Sequence, residues 1–181
     1  MTATQAQQNT QAAEQEQTEA AKKDSFRLAL RRMASSVSII SAADGQTRAG
    51  MTASSVTSLS FDPLSLLVCI HRESRFYEIV SQQDTFCINL LDQDQAEISD
   101  KFSRPTAEDN LFDNGNWQWH DGLPYLKGAQ ANLFLDIKDR HTFGTHSIVI
   151  GEVNDVFYAD QVSPLIYLDG SYMNTGMNTG S

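Results

Sequence analysis

The chain has 181 residues, 40% of them hydrophobic and 20% charged, with a formal net charge of -10 and a sequence pI of about 4.6. These values suit a single folded domain. They argue against nucleic-acid and anionic-membrane partners, which need clustered Lys and Arg, but leave room for a small phosphate-bearing ligand, which needs only a few local donors.

The two cysteines, Cys69 and Cys87, lie in apolar strand-like runs and read as small buried hydrophobes. No Cys-x-x-Cys or spaced Cys/His cluster is present, which argues against a structural zinc. The start of the chain has no apolar signal-peptide core, and no apolar stretch is long enough to span a bilayer. The expected location is the cytoplasm.

Residues 1–23 are rich in Gln, Ala, Thr and Glu and are expected to form a mobile tail, although those residues also favour helix. Asp24 or Ser25 can then cap a helix whose Phe26, Ala29, Leu30 and Met33 share one apolar face. Val37 to Ser41 reads as a first strand. Asp44-Gly45 signals a hairpin turn, and Ala49 to Ser55 returns antiparallel.

Gly50 to Ile70 organises the rest. Thr52, Ser54, Ser55, Thr57, Ser58 and Ser60 make its first part small and hydroxyl-rich. Such backbone lets a ligand approach its N–H groups closely; a plain Ser/Thr-rich hairpin is the simpler reading. After Asp62-Pro63, Leu64 to Ile70 is an apolar run expected to be a strand buried on both faces. Ser74 follows as an N-cap, with Phe76, Ile79 and Val80 on an inner helical face. A helix start there suits an anionic phosphate, while capping alone also accounts for Ser74.

Phe86 to Leu91 reads as another buried strand. Asp94 and Glu97 mark a second helix start, with Ile98 and Phe102 facing inward and Lys101 in its last turn. Ser103 to Gly122 reads as irregular, pinned by Phe112, Trp117 and Trp119. Tyr125 to Ile137 and Ser147 to Tyr158 are strands, with Gly151 a candidate bend. Pro164 to Leu168 is a last short strand. One domain over 24–173 is expected, with a second tail at 174–181. Many strands and few helices, without β-α-β alternation, point to a mainly β architecture: a β-barrel with peripheral helices.

No Rossmann, Walker or nucleophile-elbow pattern appears. His71, His120, His141 and His146 are scattered. His146, between a Gly-Thr turn and an apolar strand, is the one placed to point into a cleft.

One ordered set of motifs goes further. Phe26 with Met33, GMTASSVTSLSFDP from Gly50, LLVCI, FCINLL, Phe143-Gly144-Thr145-His146, Gly151-Glu152-Val153 and PLIYLDGSY from Pro164 together resemble the short-chain flavin reductase family. Those proteins are the reductase partners of two-component monooxygenases. Gly144-Thr145-His146, the Trp117 region and Leu126-Lys127-Gly128 are most similar to the reductase component of 4-hydroxyphenylacetate 3-monooxygenase.

The resemblance implies a split β-barrel flavin-binding fold that forms a homodimer. It implies an enzyme in which NADH or NADPH delivers a hydride to FAD or FMN, and the reduced flavin diffuses to a partner oxygenase. A flavin-binding carrier or sensor on the same barrel is the alternative. By position, Thr52, Ala53, Ser54 and Ser55 would meet the isoalloxazine and ribityl chain. Cys69, Ile70 and His71 would run beside it. Ser74, Arg75, Lys101 and Phe102 would lie near the phosphates, and His146 and Tyr172 would border the nicotinamide pocket. The chain departs from the family pattern at Thr145, His71, Asp62 and Ser171, where many relatives have Asp, Asn, Pro and Arg.

Overall fold

A computed structural model of the chain describes residues 3–45, 47–104, 110–113 and 116–173. It forms two compact units, one of residues 1–34 with 168–171 and the other of the remaining chain.

In the first unit, helix α1 spans Ala3–Leu30. The helix expected to be capped at Asp24 or Ser25 therefore starts at Ala3, both residues lie inside it, and most of the stretch expected to be a tail belongs to it. Residues 3–30 contain neither Gly nor Pro, and Ala, Gln and Glu carry little helical cost. The apolar residues expected on one face, Phe26, Leu30 and Met33, are exposed in the single chain. Asp169 N–H donates to Arg31 O at 2.9 Å. The expected C-terminal tail, 174–181, lies outside the described residues.

The second unit is built on antiparallel strands. These are β1 (Ser35–Ser36), β2 (Ser38–Ala43), β3 (Arg48–Ala53), β4 (Val56–Phe61), β5 (Leu64–His71), β6 (Thr85–Leu90), β7 (Trp117–His120), β8 (Leu123–Leu126), β9 (Ala131–Phe143), β10 (His146–Tyr158), β11 (Ile166–Leu168) and β12 (Ser171–Met173). Helix α2 spans Arg75–Val80 and α3 spans Ala96–Ser103. Among the described residues no helix is long and apolar enough to cross a membrane.

Seven strands form one sheet in the order β3-β2-β6-β9-β10-β5-β4. Its two edge strands, β3 and β4, are consecutive in the chain and joined only by Ser54 and Ser55. A flat sheet of this width would part its edges by about 29 Å, at about 4.8 Å per strand. The three Cα–Cα steps from Ala53 to Val56 span at most about 11 Å. The sheet therefore has to roll up until its edges meet, so the barrel follows from this short link.

The Asp44-Gly45 turn joins β2 to β3 as expected: Thr47 N–H donates to Asp44 Oδ1 at 2.7 Å, and Gly45 takes a φ of 91°. Gly151, the candidate bend, lies at a register shift between β9 and β10. A Cβ there would come within 2.8 Å of Phe86 and 2.9 Å of Leu135, so the close approach requires glycine.

The strand buried on both faces is β2, whereas β5 is only half-covered. Ile40 and Ala42 of β2 enter the barrel core with Val68, Ile70, Phe86, Leu135 and Val149. Ile39 joins a second core with Leu91, Phe102, Phe112, Leu126 and Leu165. Elements outside the barrel cover β2, and sequence periodicity carries no record of that.

A buried Asn89 ties β6 to its neighbours. Its amide donates to Ile39 O and Ser41 Oγ, both at 2.9 Å, and its Oδ1 accepts from Leu126 N–H at 2.7 Å and Asn132 Nδ2 at 2.9 Å. All four of its hydrogen-bonding positions are used, which a buried amide requires. The expected helix start at Asp94 is displaced. Asp92 and Gln95 form the capping box of a short 3-10 turn, Gln93–Gln95, that leads into α3. Part of the region read as irregular is the β7–β8 hairpin, turned at Asp121-Gly122. Phe112 is buried there, but Trp119 is 52% exposed and does not pin the segment.

Candidate functional site

The barrel's two edges meet at Ser54 and Ser55. Neither residue belongs to a strand ladder, and both are exposed. Their backbone N–H groups are therefore free of the sheet at an open seam. Ser55 Oγ donates to Cys69 O at 3.1 Å and holds the seam to β5. On either side the first stretch turns inward. Ala53 is buried in the barrel core, and Thr52 Oγ1 donates to Ser99 O of α3 at 2.7 Å. The hydroxyls of Thr52 and Ser55 are thus used in shaping the backbone, leaving Ser54 as the exposed hydroxyl.

Strand β5 alternates beside the seam. Ile70 is fully buried, so only its backbone can border a ligand, while Cys69 and His71 are half-buried on the other face. Register places His71 opposite His146 of β10. Their rings meet edge to face, with centroids 5.1 Å apart. His71 Nδ1 accepts from Glu73 N–H at 3.2 Å, which leaves the proton of the neutral ring on Nε2. Thr145 Oγ1 lies 2.9 Å from His146 Nδ1, so the hydroxyl at this departure from the family pattern engages the histidine. Of the two cysteines, Cys87 is buried inside the fold and burial pushes its thiol pKa well up. It is a packing residue.

On the other side of Thr52 opens a cavity of about 730 Å³. Gly50, Met51 and Thr52 of β3 border it, with Ser74, Arg75 and Phe102. Ser74 caps α2: its Oγ donates to His71 O at 2.7 Å and accepts from Tyr77 N–H at 3.2 Å. Its hydroxyl is committed to the fold. Phe102 is fully buried, its ring forming a wall against Gly50, where a Cβ would come within 2.5 Å. Lys101 is exposed in the last turn of α3 and does not border the cavity.

The site residues named from sequence thus fall into two groups joined through Thr52. Ser54, Ser55, Cys69, His71 and His146 gather at the seam, and Ser74, Arg75 and Phe102 border the cavity. Tyr172 belongs with α3, its Oη 2.9 Å from both Ser99 Oγ and Asp100 Oδ1. Among the described residues no ring contact or hydrogen bond joins it to His146. Arg48, which also lines the cavity and lies over the Phe112 ring at 4.8 Å, was missed. In sequence it is an ordinary polar residue at a strand start.

These residues fit a flavin nucleotide. The seam offers unpaired backbone donors for a ring edge, and the adjoining cavity combines an aromatic wall with two arginines.

Comparison with known proteins agrees. The family described as "Flavin reductase like domain" matches residues 30–176. The chain is 37% identical to the reductase component of an FADH(2)-dependent resorcinol hydroxylase from Rhizobium sp. (strain MTP-10005), over 81% of this chain and 84% of that one. It is 34% identical to an FMN reductase (NADH), RutF, of Yersinia enterocolitica, over 83% of each. Among solved structures, a flavin reductase domain protein from Arthrobacter sp. FB24 superposes with a TM-score of 0.78 at 28% identity, covering 84% of this chain and 94% of that one. Nitrilotriacetate monooxygenase component B of Mycobacterium thermoresistibile gives 0.82 at 26%, covering 90% and 92%. None of these four carries the 4-hydroxyphenylacetate assignment, which rests on its motifs alone. The fold is a split β-barrel, and the chain belongs to the flavin reductase-like family.

Proposed function

We propose that this chain is an NAD(P)H-dependent flavin reductase that passes reduced FAD or FMN to a separate oxygenase component. The observation that carries the reading is the seam: unpaired backbone at Ser54-Ser55 beside the His71–His146 pair. The relatives' printed names, FMN reductase (NADH) and reductase component, support it.

The nicotinamide nucleotide supplies a hydride and a bound flavin accepts it. The chain's own task is to bind and orient. Backbone N–H groups of Ser54 and Ser55 would meet the polar edge of the ring and stabilise negative charge there, with Thr52 and Ala53 of β3 lying alongside. Cys69, Ile70 and His71 border it. Arg75, Lys101 and Phe102 serve the phosphate end, Lys101 from the rim as an exposed cation, while Ser74, whose hydroxyl and amide both donate to His71 O, shapes the turn beside it. His146 positions the nicotinamide, and no general base is required. Tyr172, held through α3, contributes from farther away.

A homodimer in the cytoplasm is part of the proposal. The exposed Phe26, Leu30 and Met33 on α1 are apolar surface that a second copy can cover. The test is steady-state NADH and NADPH oxidation with free FAD and FMN in all four combinations. Multiple turnover with at least one pair is expected. A purified protein that holds flavin tightly but does not turn over would be a carrier or sensor instead.

A further inference from the structure

The cavity beside Thr52 extends beyond the phosphate-end residues Ser74 and Arg75 to Leu111, Phe112 and Asp113. Two arginines, Arg48 and Arg75, line this one space. Among the described residues Arg75 has no ion-pair or hydrogen-bond partner. Besides lying over the Phe112 ring, Arg48 has among the described residues one ion pair, a long contact of 3.9 Å to Asp113 in a partly exposed pair. Such a pair contributes little, so the guanidinium can turn to a better acceptor at small cost.

The aromatic part is firmer. The Phe112 ring meets Phe102 edge to face at 5.3 Å and Trp117 at 4.7 Å, and Arg48 lies over it. Its orientation is fixed before any ligand arrives. Paired guanidinium forks suit a diphosphate, and an aromatic face with a guanidinium over it suits a purine.

We propose that this extension binds the adenosine diphosphate arm of FAD, so that Arg48 and Phe112 set a preference for FAD over FMN. The inference rests on the flavin-reductase reading above. Nicotinamide dinucleotides carry the same arm, but His146, the residue assigned to nicotinamide, is not among those lining the cavity. The cavity instead continues from the residues assigned to the flavin phosphate.

The test measures Kd for FAD and for FMN, and KM for NADH, in wild type, Arg48→Gln and Asp113→Asn. Arg48→Gln is expected to raise the FAD Kd about tenfold and to move the FMN Kd far less. Asp113→Asn is expected to lower the FAD Kd, because it releases Arg48 and removes a carboxylate that repels phosphate. The opposite signs separate binding from damage to the fold. Equal changes for FAD and FMN, or none, overturn the proposal. A change in NADH KM with FAD Kd unmoved assigns the arm to the other dinucleotide and also overturns it. Reductase turnover that favours FMN leaves the enzyme reading intact while this one fails. FAD binding that depends on Arg48 without turnover removes only the reductase reading.

Discussion

His71 and His146 stand directly opposite each other on paired strands β5 and β10, their ring planes at 87°. The Glu73 N–H bond fixes the rotation of His71, and its ring, with the Thr145 hydroxyl, confines His146. Confinement of this kind suits a group that positions a flat ligand, because less freedom is lost on binding.

From that follows a kinetic split. His146→Ala is expected to raise KM for NADH about tenfold while changing flavin Kd by less. Initial rates over a range of NADH at saturating flavin, set beside a flavin titration, measure both. Equal effects would contradict the nicotinamide assignment.

Lys101 is exposed at the end of α3 and outside the cavity lining, so any attraction it exerts on phosphate acts through solvent. Lys101→Ala is expected to weaken flavin binding about two- to threefold at low salt, with the difference fading above about 0.15 M as the Debye length shortens. A flavin Kd unchanged at low salt would leave Lys101 as a helix-end cation.

Gly50 lies against a wall that cannot yield. A Cβ would come within 2.5 Å of Phe102 Cε1 and 3.3 Å of Ile40 O, and Phe102 is fully buried. Gly50→Ala is therefore expected to cost about 1–3 kcal/mol and to weaken flavin binding by displacing the ring. Urea denaturation with a flavin titration checks both. A variant as stable as wild type would mean that this wall is softer than its packing implies.

Tyr172 titrates above its ordinary 10.0, chiefly because burial disfavours the phenolate; the nearby Asp100 adds to the rise and the Ser99 bond opposes it. A folded-state pKa above the unfolded one gives stability that is complete below pH 10 and lost as pH climbs through the raised value. The side chain keeps much solvent contact, so the effect is small. Tm is expected to fall more between pH 9 and pH 11 for wild type than for Tyr172→Phe. Parallel Tm curves would show that its ionisation is not linked to folding.

Much of this was legible along the chain. Ser74 carried its cap in sequence because an N-cap is a local bond between a hydroxyl and an amide three residues on. The Asp44-Gly45 hairpin was likewise local. The capping box at Asp92 and Gln95 was misplaced by two residues, since Asp94 and Glu97 spell the same spacing. The ordered motifs from Phe26 to Tyr172 identified the family, and the seam residues came with them.

Only the folded chain decided the rest. Burial of β2 on both faces, the fourfold use of Asn89 and the placing of Arg48 over Phe112 join residues far apart in sequence. Sequence alone determined the Asp44-Gly45 turn, the Ser74 cap and most of the strands, because those depend on neighbouring residues. The meeting of edges at Ser54-Ser55 and the cavity beside it depend on how seven strands close, a long-range constraint that local periodicity does not record.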